Sequence, residues 1–426
     1  MNIKPVLGND KQTAMRRIGA AAVVLSFVSF VLVAMFDRGS LIGQLFFRDM
    51  TDTFMDYFNC LPGVAMRRPY DTQSMYPPLS EVVFYLFSKI LPDKMLFEMA
   101  PRAMRTEQIP ILSLMLYLAI PIAVTVIALS DYIKTGKAEK RLVIIAFLVS
   151  SPFIYLLERG NVLIYSFAAA VVFICYYDSD KKWQREMALI ALAVSAGIKL
   201  YPAVLGIILV RDKRWKETIR CVIYGIFFFI APFFMFGGLS NLMVMINALI
   251  GNSGGFGHTD FNCKINFSAI FNIIGVMWFG RTEAFTWGQT VAYILSALLI
   301  AAAFLTKRRW KSVLFLTLVM VGAPAFSFYY TGVFMLLPFL WFIAGGEKEV
   351  KWTDIIYLLA FIAFLSPIPI HAWPINGSAD INVNLEICGV AILVMTLWGL
   401  IDSVIDLVSR IKAKGASKAE VKADKA

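Results

Sequence analysis

Apolar runs long enough to cross a bilayer recur along nearly the whole chain, separated by short polar turns and two long outer stretches. A helix needs about 20 residues to cross the hydrocarbon core. Candidate spans fall at roughly 18–36, 109–130, 142–157, 162–177, 187–199, 202–210, 219–236, 288–306, 312–328, 331–345, 353–369 and 387–407. The pattern predicts an all-α polytopic integral membrane protein with about 12 transmembrane helices. One segment, 187–210, is too short for two straight spans, and Pro202 breaks it because proline lacks an N–H and disfavours helix at Tyr201. Another, 78–92, is apolar but only 15 residues long, and is expected to lie against the membrane or dip into it on the outer side; a true short span is the alternative.

Composition agrees with the pattern. Of 426 residues, 59% are hydrophobic and 16% charged, and the mean hydropathy is +0.71. Soluble domains are about 45–50% apolar and about 25% charged. A soluble enzyme, a disordered chain and a fibrous repeat are thereby excluded. Residues 1–409 are expected to form one transmembrane domain. The Lys/Ala/Glu-rich stretch 410–426 is expected to be a disordered basic cytoplasmic tail. The first apolar run is too long for a cleaved signal peptide, and no small-residue cleavage site precedes Asp37.

The net charge of +11 would suggest nucleic acid in a soluble protein. Here its distribution matters more. Loops 132–141, 178–186, 211–217 and 307–311, both termini, Lys348 and Lys351, together with Arg220, hold 28 of the 40 lysines and arginines. The positive-inside rule makes this side cytoplasmic, both termini included. Long loops near 37–108 and 237–287, with shorter ones at 158–161 and 370–386, then lie outside. Nucleic acid is not expected as a partner; the bilayer is.

The outer loops carry the candidate chemistry. Asp49, Asp52 and Asp56 are spaced i, i+3, i+7, which on a helix aligns three carboxylates. Such a stripe suits a general base, because clustered carboxylates repel and raise one another's affinity for protons. It equally suits a divalent cation bound through oxygens, or a solvated acidic face. The turn Glu158-Arg159-Gly160-Asn161 places Asn161 where a helix N-cap belongs. Lys199-Leu200-Tyr201-Pro202 is the expected hairpin tip. Arg159 and Lys199 are ionisable groups at the edge of apolar spans, which marks functional candidates. Together they could clamp a phosphate; the plainer alternative is snorkelling to lipid headgroups. Cys60, Cys263 and Cys388 show no pairing pattern and are read as free thiols. No Cys or His cluster has the spacing of a metal site.

In order along the chain these motifs are Asp52 in its acidic loop, Pro69-Tyr70, Tyr76-Pro77-Pro78-Leu79, Arg159-Gly160-Asn161, and Lys199-Leu200-Tyr201-Pro202 followed by Arg214-Trp215. The set resembles glycosyltransferase family 87, the bacterial polyprenyl-phosphate-mannose-dependent mannosyltransferases of the GT-C superfamily, over roughly residues 40–345. The resemblance implies a GT-C fold whose first extracytoplasmic loop carries membrane-parallel helices and the catalytic carboxylate. Asp52 best matches that position, with Asp56 and Asp49 beside it. Arg159 and Lys199 would meet the donor phosphate. Asn161, Tyr201, Tyr76, His258 and Tyr330 are the substrate-binding candidates. Tyr330 stands where family members often carry a histidine, in Ser327-Phe328-Tyr329-Tyr330-Thr331. The glycine-rich run Asn252 to Asp260 suits a mobile lid, and Asn266-Phe267-Ser268 resembles a family Asn-x-Ser segment.

The expected function is sugar transfer, with mannose the expected sugar, from a polyprenyl-phosphate donor to an extracytoplasmic lipid or glycan acceptor. Inversion is expected, with a loop aspartate as base and no cofactor; a divalent cation is compatible but not implied. The expected location is the bacterial plasma membrane with the active site outside. The rival reading is a polytopic transporter or flippase, to which the short arms broken at Pro202 are also suited.

Overall fold

The computed structural model of the chain describes residues 10–47, 50–256, 264–271, 287–325, 327–345, 350–371 and 382–423. Among these the secondary structure is helical, with one isolated antiparallel bridge between Lys264 and Phe328. The first helix, α1 (Asp10–Phe36), is followed by a chain of short helices: α2 (Ser40–Leu45), α3 (Met55–Phe58), α4 (Leu61–Ala65), α5 (Pro78–Ser88), α6 (Asp93–Phe97) and α7 (Pro101–Met104). Then come α8 (Gln108–Tyr132), α9 (Lys137–Leu148), α10 (Ser151–Arg159), α11 (Leu163–Tyr176) and α12 (Lys182–Ile198).

Among the described residues five helices are long and apolar enough to cross a membrane: Lys11–Phe36, Gln108–Tyr132, Trp215–Met235, Gly288–Leu305 and Val383–Ser409. A sixth span results if α9 and α10, bent by 51°, are taken together. The protein is therefore a multi-pass, all-α membrane protein. The expected count of about twelve spans is not confirmed by these helices. Runs such as Leu163–Tyr176 and Asp354–Leu365 fold as apolar helices of 10–17 residues; the second ends just before Pro367. The 11 residues of α5 extend only about 16 Å at 1.5 Å per residue, against a core of about 30 Å. By length α5 does not cross, in line with the reading of 78–92. The final helix continues unbroken from Val383 to Ala423, through most of the stretch expected to be a disordered tail. Its Lys, Ala and Glu are strong helix formers.

Three local devices position the outer loops. Pro152 lacks the N–H that a continuous helix would direct to Leu148, so the chain bends between α9 and α10. The bend is sealed by the Ser150 hydroxyl, which donates to the Phe147 carbonyl (2.8 Å). Pro121 interrupts α8 in the same way. The Tyr117 carbonyl freed one turn earlier accepts the Tyr165 hydroxyl instead (2.8 Å), which ties α8 to α11. In a bilayer such freed groups need an internal partner. Finally, α11 and α12 approach closely through small residues. Ser166 Oγ donates to the Ser195 carbonyl (2.9 Å) and Ser195 Oγ to the Ser166 carbonyl (2.8 Å), the packing expected of membrane helices.

The basic loops assigned to one side by charge do meet one another. Arg309 pairs with Asp178 and Asp212, and Arg214 with Asp178 and Glu217. Residues of the loops 178–186, 211–217 and 307–311 thus form one network. Arg16 reaches both Glu139 and the Ile343 carbonyl.

Candidate active site

The three-aspartate helix does not form. Asp52 lies in a turn and Phe54 takes a left-handed conformation (φ 61°), so α3 starts only at Met55. Asp49 lies outside the described residues. Asp52 and Asp56 nevertheless converge, because a single arginine receives both.

That arginine is Arg159, the last residue of α10. Its Nη2 donates to Asp56 Oδ1 (2.7 Å) and its Nε to Asp56 Oδ2 (3.4 Å), and Nη1 is bonded to Asp52 Oδ2. Forked guanidinium–carboxylate bonding of this kind fixes orientation as well as charge. Asn161 Nδ2 adds a bond to Asp56 Oδ2 (2.7 Å), and its Oδ1 accepts the Leu163 N–H (2.9 Å). The expected N-cap position falls one residue later, at Val162; Asn161 instead closes the turn just before α11 and holds Asp56 with the same amide. The two aspartates end in unequal states. Asp56 is held on both oxygens and its side chain is 17% exposed, whereas Asp52 is held on one oxygen and is 43% exposed. Among the described residues the other Asp52 oxygen has no partner.

Gly160 makes this turn possible. It ends α10 in the left-handed region (φ 62°), and a Cβ there would sit 3.2 Å from Tyr57 Cβ and 3.4 Å from Phe54 Cα. The acidic loop is thus laid directly on the Arg159 turn. Two further bonds hold it there: the Phe54 N–H to the Glu158 carbonyl (2.8 Å) and the Thr53 hydroxyl to Glu158 Oε1 (2.9 Å).

The Tyr76 loop closes the other flank. Tyr76 OH accepts from Asn161 Nδ2 (3.3 Å), and Lys199 Nζ lies 4.2 Å from the centre of the Tyr76 ring, a cation–π contact. Lys199 is brought there by the end of α12. Ser80 Oγ on α5 donates to the Ile198 carbonyl (2.6 Å), one of the carbonyls a helix end leaves unpaired. Lys199 itself is extended (φ −139°, ψ 131°), and Pro202 follows in a 3-10 turn, Tyr201–Gly206. The chain thus breaks where the sequence placed a hairpin tip. Among the described residues Lys199 has no carboxylate within ion-pair distance.

Beneath this flank lies a buried carboxyl that the sequence did not single out. Glu81 is 1% exposed and accepts the Ser74 hydroxyl (2.5 Å). Burial pushes it up to about 8, against smaller opposing effects from the Ser74 bond and the Lys199 charge. Ser74 also accepts the Tyr76 N–H (3.3 Å), so Glu81 supports the loop that carries Tyr76.

Of the remaining candidates, Tyr330 stacks near Tyr155 (6.4 Å between centroids) and lies within electrostatic reach of Asp56, Arg159 and Asp52. Tyr201 packs edge-on to Phe334 (5.7 Å), and its buried hydroxyl has no partner among the described residues. His258, like Asp49, falls outside the described residues. Asn266 turns inward, donating to the Pro324 and Ala325 carbonyls. Cys60, Cys175, Cys221 and Cys388 are free thiols. Among the described residues no three His, Cys, Asp or Glu side chains gather as metal ligands would.

Six predicted site residues thus form one cluster: Asp52, Asp56, Arg159, Asn161, Tyr76 and Lys199. Sequence reading missed Glu81, Thr53 and the Phe54–Glu158 backbone bond. Only the adjacency of Glu81 to the Pro77-Pro78 helix start signalled any of them. The sequence model of the family described as Glycosyltransferase family 87 matches residues 75–304, more than half of the chain. The match takes in Tyr76, Arg159, Asn161, Lys199 and Tyr201, and leaves Asp52, Asp56 and Tyr330 outside it. No curated protein and no solved structure matches the chain. The chain belongs to glycosyltransferase family 87.

Proposed function

We propose that the protein transfers a sugar, mannose in the first instance, from a polyprenyl-phosphate donor to a lipid or glycan hydroxyl, with inversion at the anomeric carbon. Family membership makes it a glycosyltransferase; the donor, the sugar and the base are the reading argued here. The supporting observation is the inequality of the two aspartates. Asp56 is committed to Arg159 and Asn161 through both oxygens, while Asp52 presents a free oxygen at an exposed edge.

On this reading Asp52 accepts the proton of the acceptor hydroxyl as that oxygen attacks the anomeric carbon. The bond from that carbon to the phosphate oxygen breaks, and the polyprenyl phosphate leaves with the electron pair. Lys199 meets the leaving phosphate, since among the described residues no carboxylate stands within ion-pair distance of its ammonium. Arg159 has a different part from the one its motif suggested. Three of its N–H groups are spent on the aspartates, so it aims Asp52 and lends its remaining donors to the charge that develops on the phosphate. Tyr76 and Tyr330 line the approach. The prenyl chain lies in the bilayer, so the donor reaches the site through lipid. By the distribution of basic loops the site faces the exterior of a bacterial plasma membrane, with both termini cytoplasmic.

The test uses the full chain in native membranes, supplied with polyprenyl-phosphate mannose. A base supplies roughly 10²–10⁴-fold of rate, so Asp52→Asn should lose transfer by about that factor with the donor KM little changed. Undiminished transfer would end the assignment of Asp52.

A further inference from the structure

Asp52 has a second side. It also lines a half-open cavity of about 300 Å³, together with Thr51, Met55, Asn59, Ala100, Pro101 and Arg102. Arg159, Asn161, Tyr76 and Lys199 take no part in its lining. The cavity is held open by construction. Arg105, one turn beyond Arg102, donates from Nη1 to the carbonyls of Met50 (2.7 Å) and Thr53 (3.1 Å). α7 is thereby pinned to the acidic loop, and the two walls keep their separation. The Arg102 guanidinium has no ion pair or hydrogen bond among the described residues.

We infer that this cavity is the acceptor site, and that it takes a sugar or polyol bearing an anionic group, phosphate or carboxylate, which Arg102 reads. This inference rests on the transferase reading above and adds the acceptor's chemistry to it. A base that serves a displacement must stand between the attacking hydroxyl and the donor's anomeric carbon. Asp52 is the one residue common to the cavity wall and the Arg159–Asp56–Lys199 cluster, so the cavity is the acceptor's side. Its lining suits a sugar ring: Thr51 and Asn59 supply hydrogen-bonding groups, and Met55 and Pro101 apolar surface for C–H faces. A guanidinium forks onto two oxygens of a phosphate or carboxylate. A volume near 300 Å³ is at the small end of ligand pockets, which suits one ring and its charge rather than a long glycan.

The experiment measures binding to the full chain in nanodiscs by calorimetry, without donor, using octyl mannoside, octyl mannoside 6-phosphate, octyl mannuronoside and free mannose 6-phosphate. At least a tenfold preference for one or both charged octyl glycosides over octyl mannoside is expected. Arg102→Gln should abolish that preference, bringing the charged octyl glycosides down to the affinity of octyl mannoside, whereas Arg102→Lys should retain part of it. Ala100→Trp, which fills the cavity, should weaken all three octyl glycosides. Free mannose 6-phosphate binding as tightly as its octyl form assigns the site to soluble anions; weaker binding assigns it to a lipid-borne headgroup. Equal affinity for charged and neutral octyl glycosides, or a preference that survives Arg102→Gln, overturns the inference. Displacement of octyl mannoside 6-phosphate by polyprenyl phosphate alone also overturns it, because the cavity would then hold the donor. If the Arg102-dependent preference holds but no acceptor receives mannose from polyprenyl-phosphate mannose, the donor reading fails and the anionic site stands.

Discussion

At the scale of single residues, identity matters less than commitment. Asp52 and Asp56 are equivalent in sequence, four positions apart in one polar loop. Asn161 and the fork of Arg159 separate them into a clamped carboxylate and an available one. Glu81 shows the opposite extreme, a carboxyl buried so fully that it stays protonated to about pH 8. Its unfolded form releases the proton near 4.5. The folded state therefore binds more protons than the unfolded state between those values, and stability falls as pH rises through that window. Ser74, Lys199, Cys60 and Tyr70 are its polar or titratable neighbours among the described residues. In detergent, the Tm of the wild type should decline from about pH 5 to about pH 8 more steeply than that of Glu81→Gln, which keeps an acceptor for Ser74 but carries no charge. Parallel Tm–pH curves would show that Glu81 contributes nothing to that slope.

At the scale of elements, function depends on how helices end. α10 stops at Arg159 because Gly160 turns left-handed, and Asn161 closes the turn that leads into α11 by accepting the Leu163 N–H. α12 stops at Ile198, whose carbonyl is taken by Ser80. Each end delivers one charged or polar side chain to the same place. Gly160→Ala tests this. A left-handed alanine costs about 1–2 kcal/mol, and the new Cβ meets Tyr57 and Phe54 of the acidic loop. The variant should melt several degrees lower and lose sugar transfer beyond what the lower stability explains, because the loop carrying Asp52 is displaced. Transfer at the wild-type rate in the folded fraction would show that the turn is not what places Asp52. The bent pair α9–α10 was legible only as an apolar run of 142–157. Its bend at Pro152 followed from proline chemistry, but its direction toward the acidic loop did not.

Across the whole molecule, polar chemistry gathers into separate groups of loops between apolar helices. The cluster around Arg159 occupies one set of loops. The basic loops are tied by their own ion pairs, including Lys311 with Asp402, whose side chains are 1% and 6% exposed. The Tyr357 hydroxyl donates to the same Asp402 oxygen (3.2 Å). Removing one member leaves a buried charge without compensation, a loss of about 3–5 kcal/mol, while replacing both with apolar residues is often close to neutral. Lys311→Met should therefore lower thermal stability far more than Lys311→Met combined with Asp402→Leu. Equal losses in the single and double variants would show that the pair's charge is not what matters.

The sequence by itself determined the class of protein, the grouping of basic loops and the family. Hydropathy and charge distribution are sums over many residues, and lipid imposes them on the chain directly. It also marked Arg159, Asn161 and Lys199, because a polar group beside an apolar span is costly unless it has a use. The number of crossings was not legible, since helix length depends on where each apolar run stops. Nor was the site's internal order. Nothing in the spacing of Asp52 and Asp56 distinguishes the clamped carboxylate from the open one, and a helical stripe was the wrong geometry for both. That distinction comes from contacts between residues about a hundred positions apart, such as Asp56 with Arg159 and Thr53 with Glu158, which only the packing of α3 against the end of α10 creates.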